Sequence, residues 1–328
     1  MQLLLLCAAS ILPGNALAAD KPVVPLRGEG GVVTFVPTPG FNLWQLGSVV
    51  QDGAPSSIPR QQINSYVIQT SRGKLIVVDG GMRADAVALR TFLGTLGSNV
   101  DMWFISHQHP DHIGALTEIL ESNSGPTISG IYASLLALTA IHDYEVISET
   151  EATELSDAIQ LRGVPLIDLT IGQKIAIDKV MIEIIGVRNT SVLTNFINNS
   201  SVVMKVSGGG RSVLFTGDID ALGAQQIINR GQGGKLRADY VQMAHHGSYG
   251  GSQEFYELIG AQHCMWPDTL HIRCDQLPGI TTTSSTTREW VSGQCNYNYY
   301  NHDSDGAPQL IAEGGRSLAL APQECSGL

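Results

Sequence analysis

The chain has 328 residues, enough to bury a sizeable core in one large domain or two small ones. Charged residues make up only 15% and the mean hydropathy is +0.07, which excludes a disordered chain. The net charge of −11, with no long Lys/Arg run, argues against non-specific nucleic-acid binding. A phosphate-bearing substrate stays open, because bound metal supplies positive charge locally.

Residues 1–19 read as a secretory signal peptide. Leu3 to Ala9 form a short apolar core, and Ala16-Leu17-Ala18 fits a small-x-small cleavage pattern, although the stretch before the core lacks Lys and Arg. The mature chain is then expected to be secreted or extracytoplasmic, with no membrane span after cleavage and a single domain over 20–328. Apart from Cys7, the cysteines are Cys264, Cys274, Cys295 and Cys325. An even set in the last quarter of an exported chain predicts two disulfides within about 264–328, with three pairings open. Asn189, Asn198 and Asn199 head glycosylation sequons.

Residues 20–60 are rich in Gly and Pro and read as an irregular arm with short strands. Asn64–Thr70 and Leu75–Val78 read as strands around a turn at 71–74, the second ending in Asp79-Gly80-Gly81. Apolar spacing predicts a helix over 82–97. Val100–Ile105 reads as the next strand, followed by Ser106-His107-Gln108-His109-Pro110-Asp111-His112 and a helical pattern over Ile113–Leu120. Residues 127–148 mix short apolar runs with an isolated His142, and 149–161 read as an exposed helix. Val180–Ile185, the run entered at Asn198-Asn199-Ser200-Ser201, Ser212–Thr216 and Tyr240–Ala244 read as strands, with a helix over 221–230. Strands of both halves interleaved with helices predict a layered α/β fold. Residues 265–328 read as a specificity loop or a disulfide-pinned edge, with Tyr297, Tyr299 and Tyr300 lining an entrance or packing at the surface.

Four metal-capable side chains within six residues, His107, His109, Asp111 and His112, mark a strand-to-helix loop as a metal site. His107 and His109 can aim at one ion, and Asp111 and His112 at a second. Three other predicted strand ends carry ligand-type residues: Asp79, Asp218 and the pair His245-His246. In layered α/β folds, sites gather outside strand ends. Asp-Gly after a strand is also a common turn, so Asp79 alone decides nothing.

Assembled, these residues resemble a metallo-β-lactamase-fold hydrolase over roughly residues 60–270. The runs Asn-Ser-Ser-Val-Val, Leu-Phe-Thr-Gly-Asp and Ala-His-His-Gly-Ser are similar to the extracytoplasmic hydrolase domain of DNA-uptake competence proteins and to teichoic-acid phosphorylcholine esterases. The resemblance implies a four-layer αβ/βα sandwich with two metal ions. Zn²⁺ is expected, with Mn²⁺ or Fe²⁺ also compatible with the donors. It implies His107 and His109 on the first ion, Asp111, His112 and His245 on the second, Asp218 bridging, and Asp79 behind them as a hydrogen-bond acceptor. Many members place a further His before the bridging Asp. Here Asn199 stands in that place, so the first site is weaker, completed by His246, or solvent-filled.

The implied chemistry is hydrolysis by a metal-activated hydroxide, with Asp111 orienting it. His246 would contact a phosphoryl oxygen or protonate the leaving group, and Asn199 and Ser248 would add hydrogen bonds. The expected function is a secreted phosphodiesterase or phosphoryl-ester hydrolase acting on a small-molecule or phosphoester substrate. The alternatives are a lactonase or β-lactamase, and an inactive metal-binding protein. The fold alone does not choose among them.

Overall fold

The structure is a computed structural model that describes residues 40–49, 62–248, 250–269, 283–301, 308–314 and 316–317. The predicted signal peptide, most of the 20–60 arm, Cys274 and Cys325 lie outside the described residues.

The elements of the first half are β1 (Phe41–Gln45), β2 (Ser65–Thr70), β3 (Leu75–Asp79), α1 (Ala86–Leu96), β4 (Asn99–Val100), β5 (Met102–Phe104), α2 (Pro110–Ser122), β6 (Thr127–Ile128), β7 (Ile131–Ala133), α3 (Leu138–Glu145), α4 (Glu149–Arg162) and β8 (Leu166–Asp168). Then follow β9 (Lys174–Ile177), β10 (Val180–Gly186), β11 (Val203–Gly208), β12 (Arg211–Phe215), α5 (Ala221–Ile227), β13 (Tyr240–Gln242), α6 (Gln253–Ile259), β14 (His263–Thr269), α7 (Thr283–Val291), β15 (Tyr297–Asn301), β16 (Gln309–Glu313) and β17 (Arg316–Ser317). Among the described residues, one sheet runs β17-β16-β1-β2-β3-β5-β7-β8 and the other β15-β14-β13-β12-β11-β10-β9.

Strict alternation along the strands builds the layers. Tyr66 and Ile68, Ile76 and Val78, and Met102 and Phe104 enter a core shared with Ile182, Met204, Val206, Val213 and Phe215 of the other sheet. Their neighbours Val67, Leu75, Val77 and Trp103 point the other way, against Leu89 and Leu93 of α1, Leu116 and Ile119 of α2, and Leu155 of α4. Leu214 and Val241 do the same for the second sheet, meeting Ala224 of α5 and Phe255 and Ile259 of α6. Because both faces of each sheet are covered, the strands read as near-continuous apolar runs. The result is helices, sheet, sheet, helices, the four-layer sandwich expected.

Several elements differ from their sequence reading. Val100–Ile105 is not one strand. The Asp101 carboxylate accepts the Leu75 N–H and the Lys74 ammonium, which breaks the run into β4, paired with β6, and β5 in the first sheet. The 20–60 arm contributes an inner strand, β1, between β16 and β2. Among the described residues of the last quarter, β14 and β15 extend the second sheet, with β15 at its edge, and β16 returns to the first. Tyr299 and Tyr300 are therefore buried in the sandwich rather than at an entrance, while Tyr297 is exposed. Within this segment Cys264 pairs with Cys295.

The parallel pairs β3–β5 and β12–β13 position the candidate site. Their C-terminal ends carry Asp79, the 106–112 segment, Asp218 and His245-His246.

Candidate metal centre

Asp79 closes β3 in a left-handed conformation (φ +57°) that turns its carboxylate toward the neighbouring strand end. One oxygen accepts the Ser106 N–H at 2.7 Å. The other accepts the Ser106 hydroxyl at 2.8 Å and the Asn64 amide at 3.3 Å, and lies 2.8 Å from His112 Nδ1. Both Asp79 and His112 are fully enclosed. With Nδ1 held from behind, His112 presents Nε2 forward.

Pro110 sits in the first turn of α2, a position that needs no N–H, so the helix starts inside the motif. Asp111 and His112 thus stand on rigid helix rather than on the loop expected. Gln108 points away from the site and pins the loop, accepting the Leu136 N–H at 2.7 Å. The chain crosses to the second sheet through the Val202 N–H, which donates to the Ser106 carbonyl at 2.8 Å.

After β12 the chain turns at Gly217 with φ +56°. A Cβ there would stand 2.6 Å from the Ser201 hydroxyl, so this close approach requires glycine. The same hydroxyl accepts the Asp218 N–H at 3.0 Å. After β13, His245 and His246 are both left-handed (φ +50° and +57°). His246 Nδ1 lies 2.8 Å from the Pro267 carbonyl, which leaves Nε2 facing inward.

Four side chains converge: the ligand atoms of Asp111, His112, Asp218 and His246 all lie within 4.8 Å of one another. His246 Nε2 is 2.8 Å from Asp111 and 3.3 Å from Asp218, and His112 Nε2 is 3.3 Å from Asp218. His245 stands off, 4.0 Å from Asp218 and partly open to solvent. The resemblance had put His245 on the second ion and His246 on the substrate; the geometry groups His246 with the cluster instead. Beside it, the His107 ring lies tilted against His112 at 4.0 Å between ring centres, and His107 Nε2 lies 3.1 Å from His109 Nδ1.

Asn199, Ser248 and His142 have other partners. Asn199 is buried and spent on structure: its amide donates to Asp220 at 2.7 Å and its oxygen accepts the Gly223 N–H at 3.0 Å. Ser248 donates its backbone N–H to the His245 carbonyl at 2.8 Å. His142 is exposed and bonded to Glu149 at 2.8 Å. Sequence reasoning missed Ser106, Ser201, Glu145 and the Pro267 carbonyl. Only Ser106 and Ser201 carried a signal, as neighbours of ligand-type residues.

The electrostatics suit a cation. Burial lifts the Asp111 and Asp218 carboxyls, but the imidazoles of His112 and His246 outweigh it and hold both below the usual carboxylate range. Burial opposes a charge on those imidazoles, yet Asp218 and Asp111 outweigh it, driving His112 well up and His246 to about 10. Burial, reinforced by His112, pushes His107 well down. The enclosed carboxylates thus demand positive charge. His112 Nε2, His246 Nε2 and Asp218 Oδ1 make no directed hydrogen bond although buried, a rare state for polar atoms. Two imidazoles and two carboxylates are a borderline-to-hard donor set, so the residues fit a divalent ion.

The metallo-beta-lactamase superfamily model matches residues 58–181, a span that holds Asp79 and the 106–112 motif but ends before Asp218 and His245-His246. Among curated proteins, ComE operon protein 3 of Bacillus subtilis (strain 168) is 23% identical over 161 residues. That alignment covers 49% of this chain and 19% of the relative, so the match spans about a fifth of that protein. Among solved structures, the chain is similar to the metallo-beta-lactamase fold protein YhfI from Bacillus subtilis (14% identity, 83% of this chain and 99% of that one, TM-score 0.45). It is also similar to Igni18, a metallo hydrolase from Ignicoccus hospitalis KIN4/I (13% identity, 82% and 99%, TM-score 0.43). The sequence of residues 58–181 is thus similar to the metallo-beta-lactamase superfamily, and the two facing sheets around it form a four-layer sandwich.

Proposed function

We propose that the protein is an exported, dinuclear metal-dependent phosphodiesterase or phosphoryl-ester hydrolase. The observation that carries the metal-dependent part is the convergence of Asp111, His112, Asp218 and His246 within 4.8 Å, next to the pair His107 and His109. The phosphoryl part rests on the sequence runs around Asn199, Asp218 and His245-His246. Export is supported by the apolar leader and by the Cys264–Cys295 disulfide.

In this reading Asp111, His112, Asp218 and His246 would hold one ion, and His107 and His109 would hold the other. Zinc is the first choice, and manganese or iron the others. Such ions supply an activated water at neutral pH and positive charge for a developing oxyanion. The remaining work belongs to the chain. Asp79 and the Pro267 carbonyl fix which nitrogens of His112 and His246 face the site. The helix N-terminus at α2 and the Ser201 hydroxyl hold Asp111 and Asp218 in place. His245, partly open and outside the cluster, is assigned the contact with substrate; burial pushes its pKa down, so it serves as a neutral hydrogen-bond donor to the developing oxyanion.

The test is metal analysis of purified protein with a panel of chromogenic phosphodiester, phosphomonoester, lactone and cephalosporin substrates. Metal-dependent turnover of the phosphodiester above the others supports the reading. Preference for lactone or cephalosporin replaces it with carbon–oxygen or carbon–nitrogen hydrolysis. Tight metal with no turnover leaves a binding protein.

A further inference from the structure

His109 has two ring nitrogens, and the fold uses both. Nδ1 lies 3.1 Å from His107 Nε2, toward the first ion of the proposed pair. Nε2 lies 2.8 Å from a carboxylate oxygen of Glu145, the last residue of α3. The second Glu145 oxygen accepts the Ile197 N–H at 3.0 Å. Glu145 is thus held at both oxygens, between a histidine of the motif and the backbone that leads into Asn198-Asn199-Ser200. Both side chains are largely screened from solvent, at 16% and 21% exposure, so the bond is shielded from competition by water.

A carboxylate accepts and does not donate, so it selects the His109 tautomer that carries its proton on Nε2. That tautomer leaves the Nδ1 lone pair free to bind a cation. We infer that Glu145 is a positioning residue for the first metal ion, fixing His109 as an Nδ1 ligand and tying that ligand to the Ile197 backbone. The inference rests on the reading of His107 and His109 as ligands of one ion. It goes beyond that reading by naming a group that compensates for the histidine replaced by Asn199. A site with two imidazoles depends more on each being correctly aimed than a site with three. Asp79 does the same for His112, the Pro267 carbonyl for His246 and the Ser106 hydroxyl for His107, so each of the four histidines read as ligands has its rear nitrogen engaged.

Replacing Glu145 by Gln separates positioning from simple support. One amide oxygen can accept from Ile197 or from His109, not from both. With the oxygen on Ile197, the amide NH₂ faces His109 Nε2 and favours the opposite tautomer, which blocks Nδ1.

The experiment titrates the metal-free protein with Co²⁺ and with Zn²⁺, following visible absorption and stoichiometry, in wild type, Glu145→Gln and Glu145→Ala. Histidine ¹⁵N spectra of the metal-free proteins report the His109 tautomer independently of activity, and circular dichroism checks the fold. The expected result is two ions in wild type. In both variants the weaker ion should lose about 10–100-fold in affinity, the usual range for such supporting bonds. The tighter ion should be unchanged, and the His109 Nε2–H signal should be lost. Two ions bound as in wild type by both variants, or equal weakening of both ions, overturns the role of Glu145 alone. A single ion in wild type overturns the two-site reading itself, and is seen before any variant is made.

Discussion

His112 Nδ1 and the Asp79 carboxylate lie 2.8 Å apart across 33 residues of chain, and neither side chain touches solvent. This bond joins the end of β3 to the first turn of α2. Asp79 also accepts from Ser106 twice, so a single carboxylate sets the start of the motif and the direction of one of its ligands. In Asp79→Asn the amide presents NH₂ to one of these partners and loses one acceptor. Turnover and metal affinity should fall about 10–100-fold, the range for groups behind a ligand. Asp218→Asn should cost far more, because it removes a charge inside the cluster and points NH₂ at a cation. Metal stoichiometry with kcat for both folded variants is the measurement. Near-native metal content and kcat in Asp218→Asn would remove Asp218 from the centre.

The two histidines after β13 are separable by the same assay. His246 Nε2 stands among Asp111 and Asp218, whereas His245 is 4.0 Å from Asp218 and partly open. His246→Ala should lose bound metal, with activity falling in proportion to occupancy. His245→Ala should keep its metal and lose kcat by about 10²–10³-fold, the usual worth of one hydrogen-bond donor to a developing oxyanion. Metal loss in His245→Ala with full loading in His246→Ala would reverse the assignment.

The ligand-bearing strand ends were legible because the motif packs four donors into six residues and the strands before them are mostly apolar. Which of two adjacent histidines turns inward was not legible. That depends on two successive left-handed residues and on the Pro267 carbonyl, contributed by β14. Asn199 looked like a site residue because it replaces an expected ligand. Its real partners, Asp220 and Gly223, belong to the cap of α5, a tertiary relation that no spacing encodes. Glu145 had no motif at all, since only the packing of α3 brings it to His109.

Gly247 continues the left-handed turn at φ +83°, and a Cβ there would stand 2.3 Å from the Trp266 ring. Trp266 cannot easily retreat: it stacks on Tyr300 and donates to Asn298 at 2.8 Å. Gly247→Ala should therefore destabilise the fold by about 2–5 kcal/mol, combining left-handed strain with overpacking. It should also displace His246. Urea unfolding and metal content measure the two effects. Gly73→Ala is the control, with the same backbone strain (φ +79°) but open space around it. Equal losses in both variants would show that the Trp266 contact is not the cause.

Acid sensitivity should arise partly far from the metal centre, at His263. Its ring stacks between Tyr240 and Tyr297, with ring centres 4.5 and 4.6 Å away, and Nδ1 lies 2.8 Å from the Tyr299 hydroxyl. Burial, aided by Arg211 and opposed by Asp239, lowers its pKa to about 4. An unfolded histidine titrates near ~6.5. Between these values the folded protein keeps His263 neutral while the unfolded chain binds a proton. The unfolded state then holds more protons, so stability rises with pH across this window and is lost as pH falls through it. Below about 4 both states are protonated and the slope from this group ends. His263→Phe keeps the stacking and cannot titrate. Urea midpoints of wild type and variant, measured without metal across the same pH range, should diverge in slope, with the variant flatter. The other titrating groups are common to both proteins and cancel in that difference. Parallel slopes would show that His263 contributes nothing to the acid lability of the fold.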